Sequence, residues 1–260
     1  MKCREIMDWI EERYPVSYAE DWDNVGLLTG RDDKRVETVF LALDLTDQTL
    51  AEAVEAGADL ILTHHPMIFS GMKKVNNQSV LGRRVMTLIQ KDISYYAMHT
   101  NYDVMGMANV SAAYLQLADT EVLSVTAESG EGVQGFGRVG QLPKEMTVKE
   151  CALFVKEQLK LSDVKVYGDL KQRVRRAAVC TGSGKSMTKD ALAKGADVYV
   201  TGDIDHHTGI DTAAEGMAVI DAGHYGTEYI FMEAMGKALK EAFPALKIEQ
   251  AAVRSPYVIL

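Results

Sequence analysis

Imidazole nitrogens and carboxylate oxygens gathered at strand ends are the donors a divalent metal site uses. Three places in this 260-residue chain offer them. His64-His65 close the apolar run Asp59-Leu60-Ile61-Leu62-Thr63 and are followed by Pro66. His99-Thr100-Asn101-Tyr102-Asp103 and His224-Tyr225-Gly226-Thr227-Glu228 are both His-x-x-x-carboxylate units that follow apolar runs. A histidine pair alone is weak, since such pairs also occur at ordinary surface turns. His-His-Pro at a strand end together with two further units is a much stronger pattern.

Adjacent residues of an ideal strand point to opposite faces, so His64 and His65 would not meet at one ion there. Where the strand ends before Pro66 the chain can twist. Each histidine can then serve a different ion of a pair about 3.5–4 Å apart, as in two-metal hydrolytic sites. Two divalent ions are therefore expected. Asp103 adds a carboxylate to one, His224 ligates the other, and Glu228 can bridge. Four positions separate His224 from Glu228, so a helical turn would place them on one face. His99 is open to three roles: ligand, donor to a ligand, or proton carrier. A buried histidine with an ordinary hydrogen bond is the plainer alternative.

Other segments carry less. Thr181-Gly182-Ser183-Gly184-Lys185-Ser186 resembles the end of a phosphate-binding P-loop, but the motif's first glycine would fall on Val179, so a tight strand-to-helix turn is favoured. The segment Asp23-Asn24-Val25-Gly26 either lines the site or forms an Asx-turn. His207 is placed where it could line the cleft, while His206 is expected to face solvent. Lys73 and Lys74 either meet a phosphate or belong to a solvated loop.

The elements that must position these residues alternate. Helical spacing over 3–14 ends at Pro15. Strands are expected at 36–45, 60–63 and 93–98, with helices at 47–56 and 80–90 between them. The pattern restarts with strands at 174–179, 198–201 and 218–221 and helices at 187–194 and 211–216. Strand-helix-strand alternation means parallel βαβ units and an α/β fold. The halves repeat: Val36 aligns with Val174, an offset of 174 − 36 = 138, which lays Ala53 to Asp59 over Ala191 to Asp197. After a shorter loop the offset is 224 − 99 = 125, which lays His99 over His224. Two similar lobes are expected, 1–125 and 126–260. A middle excursion over 126–170 has no counterpart in the first half: it comprises a Gly- and Ser-rich stretch at 126–140 and an amphipathic helix at 147–161.

Net charge is −9, with no Lys/Arg block longer than a pair. That argues against nucleic-acid binding, which needs a basic stripe. Hydrophobic residues make up 47% and charged residues 25%, ordinary for a globular chain able to bury a sizeable core. Cys3, Cys151 and Cys180 form no C-x-x-C pair and read as reduced, structural thiols. The first residues lack the apolar stretch of a signal peptide, and no run approaches the roughly 18–20 apolar residues of a spanning helix, so a cytoplasmic location and no membrane partner are expected.

Taken with Asp21 to Leu27, Leu62 to Pro66, His99 to Asp103, Gly135-Phe136-Gly137-Arg138-Val139-Gly140 and Thr201 to Glu228, the chain resembles the GTP cyclohydrolase I type 2 homologue family, described as dinuclear metal-binding ring proteins. The resemblance spans almost the whole chain. It implies metal ligands at His64, His65, Asp103, His224 and Glu228, with Glu228 bridging, and a toroidal homohexamer. Some members carry a large extra domain in the middle, which the short segment from Thr126 to Gly168 is not expected to hold. Two function classes follow. One is a metal-dependent hydrolase acting on a nucleotide or related small molecule through two ions of Zn, Mn, Fe, Co or Ni per subunit. Here His99 moves protons, and the electrophile is guanine C8 or a phosphoester phosphorus. The other is a metal-binding adaptor or metal-handling protein without turnover. Five ligands for two ions leave coordination positions open for substrate, which favours the hydrolase.

Overall fold

The computed structural model describes residues 1–129 and 132–260, so Gly130 and Glu131 of the expected Gly- and Ser-rich stretch lie outside the described residues. The chain forms two compact units. The first comprises Met1–Tyr102 with Phe231–Arg254, the second Asp103–Ile230 with Ser255–Leu260.

The first unit is built on β1 (Gly26–Thr29), β2 (Thr38–Ala42), β3 (Leu60–Thr63) and β4 (Ser94–Ala97), joined by the late strand Lys247–Gln250. The sheet order is β1-β4-β3-β2 and then Lys247–Gln250, with β1 antiparallel and the rest parallel. Every residue of β2, β3 and β4 is buried. That is why these segments read as unbroken apolar runs rather than as alternating patterns. The strand expected at 36–45 pairs only over Thr38–Ala42, because Lys247–Gln250 offers partners to Thr38–Leu41 and β3 to Val39–Ala42. Helix Asp47–Glu55 starts where the Thr46 hydroxyl accepts the Thr49 N–H, and helix Val80–Gln90 where Ser79 accepts the Gly82 N–H. Each cap satisfies a donor the first helical turn would leave open.

The second unit contains β5 (Ala118–Ser129), β6 (Gly132–Thr147), β7 (Lys165–Tyr167), β8 (Arg173–Ser183), β9 (Val198–Gly202) and β10 (Ala218–Asp221), in the order β5-β6-β8-β9-β10-β7. The β8-β9-β10 core is parallel, while β5, β6 and β7 join antiparallel. The expected amphipathic helix is Val148–Gln158, capped by Thr147 and Glu150 in a reciprocal capping box.

The internal repeat holds at the level of single hydrogen bonds. Asp59 Oδ2 accepts from the N–H groups of Glu37 and Thr38, and Asp197 Oδ2 accepts from those of Arg175 and Arg176, each position shifted by 138. Parallel register shifts alike, Val39 facing Leu60 and Ala177 facing Val198. Gly57 and Gly195, at φ of 69° and 68°, close the equivalent helices. Left-handed backbone of this kind favours glycine. In the third strand Ser94 to Ala97 corresponds to Ala218 to Asp221, an offset of 218 − 94 = 124, so the offset of 125 at His224 arises from one extra residue at Gly223. The two lobes are thus similar α/β units related by a pseudo-repeat, with β5, β6, Val148–Gln158 and β7 as additions to the second. Among the described residues no helix is long and apolar enough to cross a membrane.

Candidate functional site

In the first unit, His64, His65 and His99 come together. One ring nitrogen from each lies within 4.8 Å of the others. The ring centroids are 5.0, 5.2 and 5.4 Å apart. His64 and His65 can both face this cluster because β3 stops at Thr63, so strand alternation does not apply to them. The turn is pinned by hydroxyls: Thr63 Oγ1 and the Tyr95 phenol both donate to the His65 carbonyl, at 2.8 and 3.1 Å, and the phenol accepts the Met67 N–H. Burial pushes the Tyr95 hydroxyl up to about 12, so it remains a donor. His64 is fully buried, with Phe231 and Tyr102 against its ring.

Each of these rings is held by its Nδ1 atom. His64 Nδ1 donates to the Met98 carbonyl at 3.0 Å, His65 Nδ1 to Asp44 Oδ1 at 2.8 Å, and His99 Nδ1 to Asp23 Oδ1 at 2.9 Å. Carboxylates and carbonyls only accept, so Nδ1 carries a proton, and in the neutral ring the lone pair is on Nε2. This is the arrangement that orients metal-binding histidines and fixes their tautomer. Asp23 is also bound by the Thr100 N–H and hydroxyl. Burial alone would raise its pKa, but the bonds from His99 and Thr100 outweigh it and hold the carboxyl at about 2. Asp23 therefore lines the histidine cluster; its Oδ1 also accepts the N–H of Asn24, one residue on, which falls short of the two-residue reach of an Asx-turn.

In the second unit the short helix His224–Glu228 puts His224 Nε2 at 3.1 Å from Glu228 Oε2. His224 Nδ1 donates to Asp203 Oδ2 at 2.8 Å. A neutral imidazole has one N–H, yet carboxylates stand at both nitrogens of this ring. Such an arrangement calls for a cation, either a second proton or a metal ion. Asp203 adopts φ 56°, a left-handed conformation that aspartate tolerates better than most residues. Glu228 is almost fully buried. Gly182, at φ 65°, lies beneath it, and a Cβ there would come within 2.1 Å of Glu228 Oε1. The Gly182 N–H is bound by Thr227 Oγ1 at 2.9 Å. A bare backbone at 182 is thus what gives the carboxylate its place. Asp103 opens a π-helical turn, Asp103–Met107. Burial first, then the carboxylates of Asp103 and Glu228, push the Cys180 thiol up to about 12.

The donor set fits a divalent metal: imidazoles oriented through Nδ1, and carboxylates held in buried or half-buried positions. His206 and His207 are both exposed at the start of helix His206–Ala214, where Asp205 caps the first turn. Their ring centroids lie 5.3 Å apart. The P-loop-like segment is the turn from β8 into the 3-10 turn Lys185–Met187, with Lys185 paired to Asp205. Lys73 and Lys74 are exposed. The orienting carboxylates Asp44 and Asp203 escaped the sequence reading. A signal existed for Asp203, which aligns with His65 in the repeat.

Fold and site define an α/β protein of two similar lobes whose strand ends present histidines oriented by carboxylates and carbonyls. The family model Duf34/NIF3 (NGG1p interacting factor 3) matches residues 1–256, and the chain belongs to this family. It is 36% identical over 242 residues to a Clostridium perfringens protein named GTP cyclohydrolase 1 type 2 homolog, covering 93% of this chain and 92% of that one. Its fold matches the crystal structure of a Bacillus cereus protein related to NIF3 with a TM-score of 0.94 at 26% identity, covering 100% of this chain and 99% of that one. A Staphylococcus aureus hypothetical protein matches at 0.91 and 29%, with the same coverage.

Proposed function

We propose that this protein is a dinuclear divalent-metal-dependent hydrolase acting on a nucleotide or related small molecule. His64, His65, Asp103, His224 and Glu228 would hold the ions, Glu228 being the carboxylate able to serve both. The observation that supports it best is the shared orientation of the imidazoles: His64, His65 and His224 each donate Nδ1–H to a carbonyl or carboxylate and so offer Nε2 to a metal. The name of the Clostridium perfringens relative supports the nucleotide class. Bound divalent ions supply Lewis-acid polarisation of substrate oxygens and lower the pKa of water. The chain itself supplies orientation and proton movement. Asp23 stays ionised across the working pH range and keeps His99 Nδ1 protonated, so Nε2 is the atom of His99 that takes up and returns a proton. Asp44 and Asp203 hold His65 and His224 in one tautomer.

The test is elemental analysis of protein prepared without chelator, coupled to a screen of nucleotides and phosphoesters. About two ions per chain are expected, with release of formate from GTP or of phosphate from an ester. Metal-loaded protein that turns over neither class would leave the metal-binding adaptor as the better account. We further propose a homohexamer, on the family resemblance. Light scattering then reads about six times 28.6 kDa, and a monodisperse monomer at micromolar concentration would refute the ring.

A further inference from the structure

Two large aromatic side chains of the first unit flank the same histidine and stay in water. Trp22 is 61% exposed and Phe69 is 52% exposed. Their ring centroids lie 5.8 and 6.0 Å from that of His99, in edge-type contacts with interplanar angles of 76° and 84°. Single exposed apolar residues are normal, but two aromatics converging on one polar group are informative.

The loops that carry them are fastened rather than loose. Asn24 Nδ2 donates to the Ile68 carbonyl at 2.6 Å and ties the Trp22 loop to the Phe69 loop. Asp23, next to Trp22, is held by His99 and Thr100. Met67, two residues before Phe69, is held by the Tyr95 hydroxyl. Two rings carried by fastened loops, with much of their area in solvent, offer a stacking surface, and a surface whose backbone is preorganised binds planar rings at a lower ordering cost.

We infer that Trp22 and Phe69 are the platform on which a planar heteroaromatic ring of nucleobase size is stacked beside His99. This deepens the proposed hydrolase reading and rests on it for the role of His99. It assigns recognition of the substrate's ring to Trp22 and Phe69, residues outside the ligand set. A stacked ring is held by its π-face and edges, so both purines and pyrimidines can be accepted, while a sugar phosphate without a base gains nothing from the platform.

The chain has two tryptophans, and Trp9 is half-buried, with Arg13 over its ring. Trp9→Phe therefore leaves Trp22 as the sole indole reporter in the full-length, zinc-loaded protein. Guanosine and adenosine are expected to quench its fluorescence saturably, and ribose 5-phosphate is expected not to. Adding Phe69→Ala should raise the nucleoside Kd roughly 5- to 100-fold, and Trp22→Ala, read by equilibrium dialysis, should do the same, with zinc content unchanged. Equal affinity in either alanine variant, equal quenching by ribose 5-phosphate, or no nucleoside binding at millimolar concentration would overturn the platform. So would a change in assembled mass on Trp22→Ala or Phe69→Ala, because the patch would then be a contact between copies. Stacking-dependent binding without turnover in any assay refutes the hydrolase and leaves the platform. Unchanged KM in Trp22→Ala refutes the platform and leaves the hydrolase.

Discussion

Gly182→Ala separates the space beneath Glu228 from the conformational freedom of glycine. Gly182 and Gly195 have nearly equal φ, 65° and 68°, and both belong to the second unit. An added methyl meets nothing within 4 Å at Gly195. At Gly182 it would stand 2.1 Å from Glu228 Oε1, 3.1 Å from Glu228 Cδ and 3.3 Å from His224 Nε2. The left-handed backbone costs each alanine variant about 1–2 kcal/mol, which cancels in the comparison. What remains is overpacking against a carboxylate only 3% exposed. Overpacking of this kind costs about 1–3 kcal/mol. In a chain of this size each kcal/mol moves Tm by about 2–4 °C, so Gly182→Ala should melt roughly 2–12 °C below Gly195→Ala. Because the methyl displaces Glu228, metal affinity should fall at least about tenfold in Gly182→Ala alone. Calorimetry with chelator-competition titration of zinc reads both quantities. Equal melting temperatures together with equal zinc affinities would show that Glu228 does not depend on the bare backbone at 182.

Glu228→Ala should lose both ions and His65→Ala mainly one, measured by elemental analysis; a Glu228→Ala protein that keeps two ions contradicts the bridging role. Asp44→Ala and Asp203→Ala should each weaken metal binding about 10- to 100-fold by releasing Nδ1 of His65 and His224, while histidine tautomers read by nitrogen NMR should become mixed. His99→Ala should keep the metal content yet lower turnover by about 10²–10⁴, the range of general acid–base catalysis. Cys151 is fully buried and its thiol is pushed up to about 12 by burial, so native protein at pH 8 should resist iodoacetamide there and react fully in denaturant, as peptide mass mapping will show.

The parallel βαβ order and the repeat were legible in the sequence because buried strands are unbroken apolar runs and because each repeat spends an aspartate, Asp59 or Asp197, on the same two backbone N–H groups. Legible too was the chemistry of the donors, since His-His-Pro and the two His-x-x-x-carboxylate units are local patterns. Tertiary structure alone decided how the rings are held. Asp44 is 21 positions from His65, Asp203 is 21 from His224 and Asp23 is 76 from His99, so no spacing rule connects them. The same holds for Gly182 beneath Glu228 and for Trp22 and Phe69 beside His99: in the sequence these are a glycine in a false phosphate motif, an aromatic within the segment from Asp21 to Leu27, and another 47 positions further on, with no pattern that joins them. A linear chain shows which side chains can donate to a metal. Which nitrogen points at it depends on hydrogen bonds between residues that only folding makes neighbours.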